Sequence, residues 1–468
     1  MTQTALGSFG AIVGTANVLS EGDLSAWESD WRRRWRGRAL AVVRPGNTDE
    51  VAAIVRVCAA LGLSIVPQGG NTGLVGGGVP DESGTQVLLS LQRMNRVRGI
   101  DAANLTITVE AGCILQTLQQ TSRDEGFLFP LSLAAQGTCT IGGNLSTNAG
   151  GTQVLRYGNA RELCLGLEVV TAEGEVWESL SGLRKDNTGY DLRDLFVGSE
   201  GTLGVITGAT LKLYPQPAAM TTALATLPTL HATIALLQLA QARLGPGLTA
   251  FEAMNELSLG LVRTHFAQLT QPLPAAPWTV LLEQSDCESE SHAQSLFEAL
   301  LEAALERGLI IDAAVASSIE QSRTMWHVRE SIPLAQSLEG LNIKHDISLP
   351  ISGIERFVAL TNAALQRTFP GAQLVNFGHL GDGNLHYNVQ APVGTSAADF
   401  LREHEAAVNT LVYDAVTAFG GSISAEHGIG ALKRDELARR KSPVALALMR
   451  AIKQALDPNG RLNPGRLL

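Results

Sequence analysis

The sequence predicts a two-domain protein in which helices and strands are mixed, and three observations lead there. The chain has 468 residues, beyond the length at which a single hydrophobic core keeps growing. Helical and strand-like hydrophobic periods interleave along it. At Tyr214-Pro215-Gln216-Pro217 the texture changes from glycine-rich loops between short strands to alanine- and leucine-rich helices alternating with strands.

Residues 47 to 61 carry Val51, Ile54, Val55, Cys58 and Leu61 at helical spacing, behind Asn47 and Glu50, which form a capping pair. A strand from Ser64 to Val66 follows, with further strand-like runs at Gln86 to Ser90 and Leu105 to Val109. Leu165 to Val170 and Glu175 to Trp177 read as a hairpin turned at Ala172-Glu173-Gly174. Beyond the prolines, helices are expected over Leu227 to Leu244 and Ser289 to Arg307, and a strand over Leu385 to Val389. Asp457 to Gly465 holds too much Pro, Asn and Gly for a helix.

Hydrophobic residues make up 45% of the chain and charged ones 17%, a globular composition. The net charge of −10 argues against nucleic acid or an anionic membrane as the main partner, and an anionic substrate would need a local basic pocket. No apolar run is long enough for a transmembrane helix, and Met1 to Gly14 lacks the basic-then-apolar pattern of a leader, so a soluble, cytoplasmic protein is expected. The five cysteines are scattered without a C-x-x-C pair and read as reduced thiols, mostly in the core.

Three glycine-rich segments carry the first chemical signal. Pro67 to Pro80 lies between two strands, and glycine lets successive N–H groups point together at an anion without side-chain clash. It is neither a Walker A loop, lacking Gly-Lys-Ser/Thr, nor a dinucleotide fingerprint, because Pro80 and Asp81 follow where a helix should start. Gln136 to Gly151 and Gly198 to Thr207 repeat the theme. Three small-residue clefts separated by strands suit a long, flat cofactor bearing a diphosphate.

The second signal lies late in the chain. His379 and His386 bracket Gly-Asp-Gly-Asn, and Glu426-His427 follows downstream. Two imidazoles and a carboxylate can hold a divalent metal, with one further histidine as a base. The first histidine is expected in a tight turn and the second at the start of a strand, which excludes the helix-borne i, i+4 zinc motif. Taken alone, this cluster would suggest a metal-dependent hydrolase, with turn-forming, hydrogen-bonding residues as the alternative.

The runs PQGGNTGLVGG at 67–77, IGGNLSTNAGG at 141–151, RKDNTGYDLRDLFVGSEGTLGVIT at 184–207, GHLGDGNLHYNV at 378–389 and SAEHGIG at 424–430 resemble, in this order, the FAD-linked D-2-hydroxy-acid dehydrogenases of the vanillyl-alcohol-oxidase (PCMH-type) flavoprotein family. The resemblance covers roughly residues 40 to 468. It implies an α+β fold: a PCMH-type FAD-binding domain of two mixed α/β subdomains over 1–216, an α+β substrate (cap) domain with an antiparallel sheet over 217–440, and a C-terminal segment, 441–468, returning to the FAD domain. FAD would be held by Pro67, Gly69, Gly70, Asn71, Thr72 and Gly73 at the pyrophosphate, and by Gly137, Thr138, Gly142, Asn148, Gly201, Gly204 and Ile206 along the rest. Asn463 would reach the flavin from the terminal turn. Relatives with covalent flavin carry a histidine where this chain has Asn71, so the FAD is expected to be non-covalent.

The same resemblance makes His379, His386 and Glu426 ligands of a divalent metal, zinc first. His427 becomes the catalytic base and, with Arg329, Lys344 and Asn388, a substrate contact. His327, His345 and His404 are expected to be structural or exposed. The implied activity is oxidation of a D-2-hydroxy acid, D-2-hydroxyglutarate first, with D-lactate, D-malate or glycolate as alternatives. Pro333 stands where the hydroxyglutarate branch carries a substrate-contacting threonine, and proline lacks both that hydroxyl and an N–H. No nicotinamide site is visible, so the electron acceptor would be an electron-transfer flavoprotein or a quinone, and relatives suggest a homodimer.

Overall fold

The computed structural model describes residues 2–468; Met1, with which the expected flavin domain begins, lies outside the described residues. The chain divides into two compact units. The first comprises the residues up to Gly150, Gly158–Pro215 and Glu426–Leu468, and the second comprises Gly151–Tyr157 and Gln216–Ala425.

In the first unit the capping pair acts as its spacing requires. Asn47 accepts the Glu50 N–H at 2.9 Å, while Glu50 accepts the Gly46 N–H at 2.7 Å, and together they start the helix Thr48–Leu61. Gly62 ends it in the left-handed conformation, with φ 65°. The helix buries Val51, Ile54, Val55 and Cys58, each worth roughly 1.5–3 kcal/mol for a large apolar side chain removed from water.

Two sheets build this unit. In the first, Ala39–Val43, Gln86–Ser90 and Ile65–Gln68 run parallel, with Val18–Leu19 added antiparallel at one edge. The second is a five-stranded antiparallel sheet in the order Val97–Asp101, Thr106–Glu110, Val205–Lys212, Cys164–Val170, Val176–Ser179. Its last two strands are the expected hairpin. The chain end returns to the first sheet, where Asn463 N–H donates to Ile65 O at 2.8 Å.

The second unit is organised by an eight-stranded sheet whose pairings are all antiparallel. Its path runs Asp312–Val315, Ala219–Leu227, Trp278–Asp286, Leu248–Asn255, Gln373–His379, Asn384–Gln390, Asn342–Ile343, and Asp346–Ser348 also pairs with Asn384–Gln390. One helix starts later than the periodicity suggests. Leu227 is the last residue of a strand, because Pro228 holds it extended, and Thr229 caps the helix Leu230–Leu244 by accepting the Ala232 N–H at 3.1 Å. Ser289 caps Glu290–Glu306 in the same way.

Residues 426–440, expected with the substrate domain, pack within the first unit. There Ala431 N–H donates to Val75 O at 2.9 Å, and a Cβ on Gly430 would lie 2.3 Å from that same oxygen. All five cysteines are free and only Cys287 is exposed. Burial pushes the Cys58 and Cys164 thiols up to about 12, so they act as core side chains rather than nucleophiles.

Candidate active site

The glycine segments of the first unit meet one another before they could meet any ligand. A Cβ on Gly70 would sit 2.1 Å from Thr138 O, and one on Gly69 would sit 2.3 Å from Thr140 Oγ1, so the first loop must be Cβ-free to lie against residues 138–140. Pro67 lies within the strand Ile65–Gln68 and touches the third segment, where a Cβ on Gly201 would be 3.1 Å from Pro67 Cγ. Gly142 and Gly204 serve packing: added Cβ atoms would meet Ala111 Cβ at 2.7 Å and Val169 Cγ1 at 2.6 Å. Ile206 is buried in the strand Val205–Lys212, opposite Val169. Asn148, at φ 50°, accepts the Arg161 N–H at 2.9 Å. By contrast, nothing lies within 4 Å of a Cβ built on Gly73, and Gly137 meets only the Gln116 side chain.

Where these segments converge, buried polar atoms lack partners among the described residues. Asn463 donates through Nδ2 to Gly77 O at 2.9 Å and to Glu200 O at 2.7 Å, yet its Oδ1 is unbonded. Thr140 Oγ1, against Gly69, is likewise buried and unbonded. An orphaned buried polar atom costs about 1–3 kcal/mol, which a polar cofactor would relieve, so these residues fit a flavin nucleotide. Asn71, at φ 54°, donates through Nδ2 to Ala26 O and Ser29 O at 3.1 and 2.8 Å, so it anchors the loop, and an amide offers no nucleophile to a flavin. Acid or heat denaturation followed by filtration should therefore leave all flavin in the filtrate; yellow colour retained on the protein would contradict this.

Glu200 was not singled out from sequence. Its carboxylate, 8% exposed, accepts the Ile429 and Gly430 N–H groups at 2.7 and 2.6 Å, and its own N–H donates to Ser146 O at 2.8 Å. Burial raises its pKa, against the pull of those two N–H groups. One residue thus ties the second and third glycine segments, the terminal Asn463 turn and the segment that follows Glu426-His427.

In the second unit, His379 is the last residue of the strand Gln373–His379 rather than part of the turn. The turn is a short 3-10 segment, Leu380–Asp382, closed by Gly383 at φ 83°, and His386 lies on the returning strand Asn384–Gln390. A Cβ on Gly378 would meet Asn384 O at 2.6 Å, so the tight hairpin needs glycine there. The two imidazoles stand 5.5 Å apart, centroid to centroid, nearly perpendicular. With Glu426, which directly follows Ala425 in the chain, they form a three-donor group whose ligand atoms all lie within 4.8 Å of one another. Two imidazole nitrogens and a carboxylate within that span suit a divalent ion such as zinc and leave a position for substrate. His427 is half-buried beside Glu426.

Sequence reasoning also missed Glu252, on the strand Leu248–Asn255, which is fully buried and accepts from His379 Nδ1 at 2.6 Å. A lone glutamate in the apolar run Leu-Thr-Ala-Phe-Glu-Ala-Met was the available signal. Burial alone would raise its pKa; His379 and Arg329 instead hold it down to about 2. Arg329, 6% exposed on the helix Ile319–Glu330, directs Nε and Nη2 to Glu252 Oε2 at 2.8 and 2.7 Å. The Nε/Nη2 edge of its guanidinium is therefore engaged by a single carboxylate oxygen, and Nη1 donates to neither oxygen of Glu252. Asn388 is buried and bonded at both ends of its amide, to His345 N–H at 3.1 Å and to Gln336 Oε1 at 2.9 Å. Lys344 is half-buried between two short strands, and Pro333 sits in the first turn of the helix Ile332–Glu339. His345 is structural, bonded to Tyr387 O and Asn409 Oδ1 at 2.7 and 2.9 Å.

The cradle fits a flavin nucleotide, and comparison with known proteins places the chain within one family of flavin-dependent oxidoreductases. Residues 39–179 match the FAD binding domain model, and residues 216–467 match the model for the C-terminal domain of FAD linked oxidases. The chain belongs to this FAD-linked oxidase family, with a PCMH-type flavin domain and a C-terminal domain built on a large antiparallel sheet. Among solved structures, p-cresol methylhydroxylase shares the fold, with TM-score 0.77 at 18% identity over 99% of this chain and 96% of that one.

The curated relatives narrow the class. The chain is 41% identical to D-2-hydroxyglutarate dehydrogenase of Xanthomonas citri, over 95% of this chain and 92% of that protein. It is also 41% identical to the mitochondrial enzyme of Bos taurus, over 97% of this chain and 84% of that protein. The mitochondrial enzyme of Arabidopsis thaliana is 39% identical, over 98% of this chain and 80% of that protein. The protein is thus an FAD-dependent dehydrogenase related to D-2-hydroxyglutarate dehydrogenases, which sets aside the hydrolase alternative. No helix among the described residues is long and apolar enough to cross a membrane.

Proposed function

We propose that this protein oxidises D-2-hydroxyglutarate to 2-oxoglutarate with help from a divalent metal held by His379, His386 and Glu426. The observation that carries this reading is the three-donor group of two histidines and a glutamate in a chain of the FAD-linked family. When bound, FAD supplies a two-electron acceptor, and the divalent ion supplies a Lewis acid that lowers the pKa of a substrate hydroxyl.

The chain's own residues handle charge and protons. His427 accepts the hydroxyl proton as hydrogen leaves C2 with the C2–H electron pair, as hydride to the two-electron acceptor, and the C2–O bond becomes the carbonyl. Lys344 and the remaining Nη1 of Arg329 bind the substrate carboxylates, and Asn388 orients the substrate from the strand of His386. Electrons then pass to an electron-transfer flavoprotein or a quinone, and a cytoplasmic homodimer is the form expected.

Pro333 bears on substrate length, because it offers a distal carboxylate no donor. D-malate, D-lactate and glycolate are accordingly the competing substrates. Dye-linked rates on this panel, with the L-enantiomers as controls, test the assignment. D-2-hydroxyglutarate should give the highest kcat/KM; a shorter acid exceeding it would move the substrate to that acid, and no rate on any D-acid would remove the class.

A further inference from the structure

Five side chains of the second unit, closed by the His379–His386 ring contact at 5.5 Å, form a circuit behind the metal-ligand hairpin. Glu252 and His379 are direct cross-strand partners, so their side chains share one face of the sheet. Glu252 Oε1 receives His379 Nδ1 at 2.6 Å, while Oε2 receives Nε and Nη2 of Arg329 at 2.8 and 2.7 Å. The Arg329 guanidinium lies over the Phe377 ring at 4.9 Å, and the Phe377 ring packs 4.9 Å from the His386 ring. Phe377 and His386 are themselves cross-strand partners.

Two properties follow from this geometry. A proton on Nδ1, donated to a carboxylate, leaves Nε2 unprotonated, which is the form of imidazole that binds a metal. A carboxylate with no solvent exposure survives ionised only with cationic or hydrogen-bonding partners, and Arg329 supplies both at once.

We propose that Glu252 is a positioning residue for the metal, and that Arg329 acts on the ion through it, independently of any contact with substrate. The inference rests on the reading of His379, His386 and Glu426 as ligands. It departs from a purely substrate-binding role for Arg329, which would leave metal affinity untouched in substrate-free protein.

The test is competition between metal-stripped, FAD-loaded protein and a chromophoric chelator for zinc ion, without substrate. Glu252→Gln should weaken zinc binding by about 10- to 100-fold, the usual effect of removing a carboxylate behind a histidine ligand. Arg329→Lys should weaken it in the same direction, since an ammonium cannot reproduce the two-nitrogen contact. Because Glu252→Gln leaves Arg329 buried without its carboxylate, a second variant, Glu252→Gln with Arg329→Gln, removes both charges and should bind zinc as weakly. Saturating zinc should restore most of kcat to Glu252→Gln, which damage to the fold would not permit. Wild-type protein that binds zinc no more tightly than these variants overturns the inference but leaves the metal reading standing. Wild-type protein that binds no zinc overturns that reading as well.

Discussion

His427→Ala should retain FAD and lose turnover by on the order of 10²-fold or more, the scale at which a positioned general base contributes. The residue follows a metal-ligand candidate directly, and its segment is not a free loop. Two residues further on, Ile429 and Gly430 donate their N–H groups to the buried Glu200 carboxylate at 2.7 and 2.6 Å. A side chain on so fixed a backbone can hold one geometry relative to a chelated hydroxyl. Steady-state kinetics, with flavin content measured alongside, separate the outcomes. Loss of flavin together with turnover would make His427 a folding residue, and turnover within a few-fold of wild type would remove it from the mechanism.

The second large effect is steric. Gly70→Ala would place a methyl group 2.1 Å from Thr138 O and 3.0 Å from Cys139 Cα, both backbone atoms that cannot rotate away. Either the first glycine segment or residues 138–140 must shift, at about 1–3 kcal/mol or more for overpacking, and the FAD cradle opens with them. The variant should purify without yellow colour. Gly73→Ala is the internal control, since nothing lies within 4 Å of its added Cβ. It should keep the stability of the apoprotein, so any loss of FAD affinity there reports the approach of the cofactor itself. Equal flavin content in Gly70→Ala and wild type would refute the account of this loop.

Local chemistry was legible wherever the determining partners are neighbours in sequence. Asn47 and Glu50 announced the helix they cap, and Gln86–Ser90 emerged as a strand with the bounds its pattern implied. The start of Leu230–Leu244 was misplaced because Leu227 continues the apolar rhythm of the helix, while Pro228 and Thr229 decide the conformation. His379 was placed in a turn by its glycine neighbours, although Gly378 is there to let two strands approach closely.

The supporting residues escaped for a different reason. Glu252 meets His379 across 127 positions and Glu200 meets Ile429 across 229, so no periodicity or spacing could pair them. Only the oddity of a carboxylate in an apolar strand, or between glycines in Gly198-Ser199-Glu200-Gly201, marked them. Arg329 illustrates the converse. It was expected as a substrate contact, whereas a buried glutamate had already taken one edge of its guanidinium.

Anaerobic reduction of the bound flavin by D-2-hydroxyglutarate, before and after metal removal by a chelator, separates metal-assisted oxidation from oxidation without a metal. Metal-assisted oxidation requires rapid bleaching of the flavin absorbance, its loss on chelation with FAD still bound, and its return when zinc ion is added back. Undiminished bleaching in protein shown to be metal-free would contradict it.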